Sequence, residues 1–205
     1  MKKIFYRIIK RLFDIICSII GIIFLIPIII VVKIINIINK NYSSIFFIQK
    51  RIGLNGKEFN MFKLKTMVDN ADEILEELMK KDSKIRREYK ENKKLRHDPR
   101  VTKIGRILRR TSMDELPQLV NVFLGNMSII GNRPYLPREK KDMGKYYKDI
   151  VLTKPGITGL WQTSGRSSCS FISRCKMESY YSLNASLTLD IKIFFKTALF
   201  IFKGM

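Results

Sequence analysis

Ile15-Ile16-Cys17-Ser18-Ile19-Ile20-Gly21-Ile22-Ile23-Phe24-Leu25-Ile26-Pro27-Ile28-Ile29-Ile30-Val31-Val32 carries no charge over 18 residues, and its reading decides the architecture. As a straight helix it would reach about 27 Å, just short of a hydrocarbon core of ~30 Å. Lys2, Lys3, Arg7, Lys10 and Arg11 precede it, and Lys33, Lys40 and Lys50 follow. Positive flanks on both sides place both ends in the cytoplasm. A signal peptide needs small residues at a cleavage site, and Val31-Val32-Lys33-Ile34-Ile35 has none. Pro27 removes a helical hydrogen bond and kinks the chain. A re-entrant hairpin broken near Ile26-Pro27 is therefore favoured over a kinked span. On this reading 1–40 form a membrane unit and 41–205 a cytosolic domain.

Outside this run the chain is strongly basic. Lys and Arg number 39 against 18 Asp and Glu, a formal charge of +21. That excess points to anionic partners: phosphorylated substrates, anionic lipid or nucleic acid. An apolar run beside basic residues favours a membrane with anionic lipids, and no nucleic-acid motif is present. Cys17, Cys169 and Cys175 lack CxxC spacing and read as reduced thiols. His97 is the single histidine, so a metal would be a hard cation on oxygen ligands, Mg²⁺ first.

Downstream, Ile45-Phe46-Phe47-Ile48 is strand-like, Asn55-Gly56 signals a turn, and Phe59 to Met67 completes a short β-hairpin. Asp69 to Arg96 reads as one charged helix with Ile74, Leu75, Leu78, Met79, Ile85 and Tyr89 at helical spacing. Thr102 is positioned to cap a short helix. Another helix is expected from about Leu116 to Leu124, ended by Gly125. Pro155 to Gly159 and Ser164-Gly165-Arg166 are loop signals, with Trp161 between them either in the core or at headgroup level. Leu187 to Phe202 suits an amphipathic helix on a membrane or a packed core helix. There is no Walker loop and no GxGxxG. The fold class is mostly α with a short β-hairpin (α+β): a membrane-inserted N-terminus and a compact cytoplasmic domain with interfacial amphipathic helices.

The chemistry concentrates at Thr111-Ser112-Met113-Asp114-Glu115-Leu116-Pro117-Gln118 and Gly131-Asn132-Arg133-Pro134. Two adjacent carboxylates lie beside a helix start, with Arg106, Arg109 and Arg110 upstream. The ordinary reading of Ser112-x-x-Glu115 is a capping box. Pro117 favours the first helical position and moves the start toward Leu116. The alternative is a phosphoryl-transfer site: one carboxylate attacks, a second holds a cation, and arginines clamp phosphate.

Across nearly its whole length the chain resembles the bacterial sugar transferases, small monotopic polyprenyl-phosphate phosphoglycosyl transferases. The matching segments are Phe46 to Gly53, Phe62-Lys63-Leu64-Lys65-Thr66-Met67, Asp98 to Thr102, Arg109 to Gln118, Gly131 to Pro134, Lys154 to Gly159 with Gln162 and Gly165-Arg166, and Asp190-Ile191-Lys192. The resemblance implies transfer of a sugar-1-phosphate from a nucleotide diphosphate sugar, usually a UDP-sugar, to polyprenyl phosphate, releasing UMP, at the cytoplasmic face of the inner membrane. It implies double displacement with Mg²⁺ as cofactor, held by Asp114 and Glu115. By resemblance Asp114 is the nucleophile, Glu115 completes the dyad, and Arg109 and Arg133 bind phosphate. Arg106 and Arg166 join the expected phosphate-binding set, and Pro27, Pro117 and Pro134 the motif positions. Asn132 stands where the family usually has proline, and asparagine is the less rigid residue there. The Asp69–Arg96 helix looks long for the family. It is either an oligomerisation or partner surface, with a homodimer as one outcome, or an elaborated face. A non-enzymatic, membrane-anchored basic binding module explains the charge and the apolar run equally well, but not the ordered motifs.

Overall fold

The computed structural model describes residues 2–39, 43–92, 95–164 and 169–202. The chain is mostly helical with small sheets, as the α+β expectation required. Helix α1 (Lys2–Ile38) comes first. Strands β1 (Phe46–Ile52) and β2 (Glu58–Leu64) form an antiparallel hairpin pairing Phe46 with Leu64 and Ile52 with Glu58. Its turn runs through Asn55 and Gly56 at φ 56° and 76°, the left-handed pair that the Asn-Gly signal predicts. Helices α2 (Ala71–Lys81), α3 (Ser83–Asn92), α4 (Lys103–Arg110) and α5 (Gln118–Leu124) follow. Strand β3 (Ser128–Ile130), helix α6 (Tyr147–Ile150), strand β4 (Gly156–Thr158) and helices α7 (Leu160–Ser164), α8 (Phe171–Asn184) and α9 (Leu187–Phe202) complete the chain.

Three expectations are corrected. The first concerns α1, which continues through Pro27 as one helix and does not break there. An internal proline costs about 3 kcal/mol. Leu25 and Val32, on either side of it, are only 3% and 4% exposed. Val32 packs with Leu64 and Leu108, with Ile28, Ile29, Ile45 and Ile104 around them. Burying such side chains contributes roughly 1.5–3 kcal/mol each, so the seam offsets the proline penalty and keeps the helix whole.

The second correction is to the charged helix, which is two helices. Asp82 separates α2 from α3 at φ −130°, ψ 116°, an extended conformation. Its carboxylate accepts from Lys84 N at 2.7 Å and restarts the chain as a local cap. The third concerns Pro155 to Gly159. The segment contains β4, which pairs in parallel with β3 through Ser128–Gly156 and Ile130–Thr158. Strands of three residues show no periodicity in sequence. Helix α8 had no counterpart in the sequence reading either.

Other expectations hold. Thr102 caps α4, accepting from Gly105 N at 2.9 Å. Gly125 ends α5 at φ 85°. Helix α9 is present, with Ile193 buried beside Ile130 and Tyr181, while Ile191, Phe194, Phe195 and Leu199 are exposed.

Helix α1 lies along the rest of the molecule. Tyr6 Oη donates to Asp190 at 2.8 Å and Lys10 Nζ at 2.5 Å. Arg11 donates to the carbonyls of Val122 and Phe123, both at 2.6 Å. Asp14, buried, accepts from Ser128 Oγ at 3.0 Å and Ile129 N at 2.8 Å. A Cβ at Gly21 would sit 2.5 Å from Leu119 Cδ1, so a larger residue there would need the Leu119 side chain to move aside for α1 to lie this close to α5.

Gly105 makes the corresponding close approach on α4. A Cβ there would lie 2.1 Å from the Thr66 carbonyl oxygen, a backbone atom that cannot step aside. Gly105→Ala should therefore destabilise the protein by about 3 kcal/mol or more, the upper range of overpacking. A thermal melt in detergent indistinguishable from wild type would contradict this packing.

Candidate active site

Strand β2 and helix α4 bring together the first part of the site. Lys63 lies near the end of β2 and Thr66 just beyond it. Thr66 O accepts from Thr102 N at 3.0 Å, and Thr66 Oγ1 accepts from Arg109 Nε at 2.9 Å. The capped start of α4 and its last turn thus both fasten to the chain leaving β2.

After Arg110 the chain reverses. Thr111 Oγ1 bonds back to the Ile107 carbonyl at 2.9 Å. Ser112 then adopts φ 56°, ψ 16°, the left-handed region. For a non-glycine residue that conformation costs on the order of 1 kcal/mol and needs its surroundings to hold it. The turn Met113–Glu115 follows as a separate 3₁₀ element, so Ser112 makes no capping-box bond. Pro117 precedes α5, which starts at Gln118, two residues later than expected. The dyad is therefore presented by its own tight turn ahead of α5, not from the first turn of a helix.

Asp114 is half-buried. Burial raises its carboxyl above the usual aspartate range; Lys63 opposes the shift, Glu115 adds to it and Arg109 opposes it. Glu115 is more open, its side chain 42% exposed, and Lys63 Nζ donates to its Oε1 at 2.8 Å. A pair this exposed adds at most about 1 kcal/mol of stability, so its significance is placement. Asn121 links the turn's neighbours: it is fully buried, accepts from Phe62 N at 2.9 Å and donates to Asn60 O at 2.7 Å. This fixes α5 to β2 within a residue of Lys63.

Arg133 occupies the loop after β3. Its N–H donates to Glu178 Oε1 at 2.8 Å. Its guanidinium lies 5.9 Å from the Trp161 ring centroid, and that of Arg174 lies 4.3 Å from the same centroid. Trp161 is therefore half-buried between two arginines. Arg51 on β1 is buried and donates to the Pro134 carbonyl at 2.9 Å. Burial pulls its guanidinium down to about 10, with Arg133 adding to the effect and Glu139 opposing it. Arg138 lowers it further and Glu115 raises it, so Arg51 lies in the field of both the dyad and the Arg133 loop.

Asn132 holds that loop where proline was the expected residue. Its amide donates to Ile150 O at 3.0 Å, Thr153 Oγ1 at 3.2 Å and Ser182 Oγ at 2.6 Å, bonds a proline cannot make. The loop is rigid for a different reason than the motif implies.

The structure thus gathers Asp114, Glu115 and Arg109, with Arg133 on the adjoining loop. Arg106 lies one turn earlier on α4, exposed, and its side chain has no hydrogen bond or ion pair among the described residues. Arg166 lies outside the described residues. Sequence reading missed Lys63, Arg51, Arg174 and Glu178. Lys63 and Arg51 sit inside segments that carried the family resemblance. Arg174 and Glu178, four apart on α8, would have needed α8 to be read as a helix. Among the described residues no group of three or more His, Cys, Asp or Glu could hold a metal.

The bacterial sugar transferase family matches residues 5–204. The chain belongs to that family. It is 40% identical to an undecaprenyl-phosphate galactose phosphotransferase of Salmonella typhimurium, over 94% of this chain and 40% of that protein. It is 40% identical to the exopolysaccharide production protein ExoY of Sinorhizobium fredii, over 92% of this chain and 83% of that protein. A UDP-glucose:undecaprenyl-phosphate glucose-1-phosphate transferase of Klebsiella pneumoniae is 34% identical, over 95% of this chain and 40% of that protein. The chain therefore spans about two fifths of the length of several curated relatives. Within the family frame, Glu178 is the buried carboxylate behind the Arg133 loop.

Burial pushes the Glu178 carboxyl up to about 7 from 4.5; the Arg133 N–H, Tyr135 and the Arg133 and Arg174 charges oppose it. The folded state then holds this proton more tightly than the unfolded chain does. Its stabilising contribution is complete below pH 4.5 and is lost as pH rises to about 7. Glu178→Gln should remove that slope. The variant should gain on wild type across this window by on the order of a few kcal/mol, read from melts at successive pH values. Parallel curves for the two proteins would contradict the assignment.

Proposed function

We propose that this chain transfers a sugar-1-phosphate from a nucleotide diphosphate sugar, a UDP-sugar by class, to polyprenyl phosphate, with release of UMP. Family membership and the names of the Salmonella and Klebsiella relatives support the reaction class. The observation that carries the reading is the half-buried Asp114 beside Glu115, with Lys63 and Arg109 around them. A partly desolvated carboxylate among cations is suited to attack a phosphorus that other cations polarise. The sugar it moves would begin a capsule, exopolysaccharide, O-antigen or glycoprotein glycan.

In the first displacement a carboxylate oxygen of Asp114 bonds to the sugar-bearing phosphorus. The bond to UMP breaks, and its electron pair leaves with UMP. In the second, a phosphate oxygen of the polyprenyl carrier attacks the same phosphorus and Asp114 departs as carboxylate. Lys63 holds Glu115 beside the reacting centre, while Arg109, fastened through Nε, is placed to meet phosphate. Arg133 is positioned to meet the other end of the diphosphate. The carboxylate pair fits a hard cation, which shares few protein carboxylates with substrate phosphates. Mg²⁺ held by Asp114, Glu115 and the diphosphate would reduce the repulsion between an anionic nucleophile and an anionic substrate.

The membrane reading rests on α1. Ile4, Phe5, Ile8, Leu12, Ile16, Ile20, Ile23, Ile30, Ile34 and Ile37 leave an exposed apolar stripe along its length. By length and composition it could cross a bilayer. Yet Tyr6 and Lys10 bond to Asp190 near one end, while Val32 packs on Leu64 and Leu108 near the other. One folded domain holds both ends, which favours a helix immersed from one face over a span. The basic flanks make that face the cytoplasmic one.

Two measurements test these readings. Enzyme given a UDP-sugar and Mg²⁺ without polyprenyl phosphate should release UMP in a burst of at most about one equivalent, as for any covalent intermediate. The peptide containing Asp114 should gain a sugar-phosphate mass, and Asp114→Asn should lose both signals. Substantial transfer by Asp114→Asn would overturn the double displacement through Asp114, whereas no UMP release from any UDP-sugar by the wild type would leave the basic binding module as the better reading.

For topology, single cysteines at Ile4 and Asn39, in a chain lacking Cys17, Cys169 and Cys175, should resist impermeant reagent in sealed cells. Labelling of either from outside would show that α1 spans the membrane.

A further inference from the structure

The molecule carries a second cationic site that the transfer chemistry does not use. A cleft of about 630 Å³ opens between the first turns of α1 and the segments 152–154 and 181–185. Arg7, Lys10, Arg11 and Lys154 line it, and Asp14 is the one carboxylate among its lining residues. Asp14 is already occupied by Ser128 Oγ and Ile129 N. Lys10 is paired with Asp190, and Arg11 is bonded to the carbonyl end of α5. The side chains of Arg7 and Lys154 have no hydrogen bond or ion pair among the described residues.

The fold nevertheless presses these cations together. Lys154 Nζ and the Arg11 Nη2 come within 3.5 Å and 3.6 Å of the same point above Gly125. Burial holds the Lys154 ammonium below the ordinary lysine range; Arg11 lowers it further, Asp14 opposes and Lys10 adds to the lowering. Four cations gathered in a half-enclosed site, with Asp14 in its lining and Asp190 on Lys10 as their carboxylates, leave an excess of positive charge that an anion entering from outside stabilises.

The cleft's rim identifies the kind of anion. Leu152 and Leu183 line it and are 53% and 63% exposed. Ile4, Phe5 and Ile8, on the adjoining turns of α1, are exposed as well. The site therefore combines a cationic floor with an apolar mouth, next to the stripe that faces lipid. It lies at the carbonyl end of α5, whereas Asp114 and Glu115 precede that helix, so the two sites are at opposite ends of α5. We propose that this cleft binds the phosphate headgroup of an anionic membrane lipid, with Arg7 and Lys154 as its free cations and Leu152 and Leu183 against the start of the tail. A bound headgroup would neutralise the cations that abut α5 and fix the depth at which α1 sits.

The proposal rests on the membrane reading of α1 but not on the transfer reaction. Its test reads binding alone, so its failure leaves the Asp114 assignment standing. The full chain in non-ionic detergent is titrated with short-chain phosphatidylglycerol, short-chain phosphatidylcholine or inorganic phosphate. Phosphatidylglycerol should bind saturably, and Arg7→Gln with Lys154→Gln should weaken it about tenfold, the equivalent of ~1.4 kcal/mol. Arg7→Lys with Lys154→Arg should restore binding, which separates lost charge from a failure to fold. Lys80→Gln with Lys84→Gln, an equal charge change on exposed parts of α2 and α3, should have no effect. Equal binding by wild type and the Arg7/Lys154 glutamine pair would overturn the proposal. So would phosphatidylcholine binding as tightly as phosphatidylglycerol. Inorganic phosphate binding as tightly as phosphatidylglycerol would overturn the lipid assignment and leave a site for soluble phosphate.

Discussion

The docking of α1 onto α5 is the constraint on which the rest of the molecule depends. A helix this apolar has no reason to lie along a basic domain unless polar anchors fix it there. Asp14 supplies one by satisfying Ser128 Oγ and the Ile129 amide at once, and Arg11 another by accepting the task of closing the α5 carbonyl end. Lys10 and Tyr6 share Asp190 on α9. Each anchor is charged and partly shielded, where hydrogen bonds contribute more than in water. Gly21 then lets the two helices close up, and the apolar seam around Val32 holds the far end.

From α5 the constraint passes to the site. Asn121, buried on α5, bonds one edge of β2 near Lys63 through Asn60 O and Phe62 N, and Lys63 reaches Glu115. The same short helix is gripped by α1 at one end and preceded by the carboxylate turn at the other. A change in how α1 sits would therefore be felt at α5 before it is felt anywhere else. This suits an enzyme whose two proposed substrates come from different phases, one from water and one from the bilayer.

Around the site the ordinary rules of folding are relaxed. Ser112 takes a left-handed conformation, Asp114 and Glu178 are carboxyls raised by burial, and Arg51 is a buried arginine lowered by burial and by Arg133. Each is unfavourable by itself, and together they surround the dyad and the Arg133 loop. Such local costs persist where the surrounding structure over-determines them, and they concentrate at functional sites.

The sequence by itself determined the elements whose signals are local. The apolar length of α1, the Asn55-Gly56 turn, the Thr102 cap and the Gly125 stop each depend on a few neighbouring residues and emerge as read. The adjacency of Asp114 and Glu115, with Arg109 five residues before Asp114, was also legible, because that motif is contiguous. Only the tertiary structure decided whether Pro27 breaks α1, since packing of Leu25 and Val32 outweighs the lost hydrogen bond. It alone paired β3 with β4, strands too short to show a period. It also placed Glu178 of α8 behind Arg133 and set Arg174 on Trp161. Those contacts join positions as much as 45 residues apart, and no local pattern encodes which buried partner a side chain will meet.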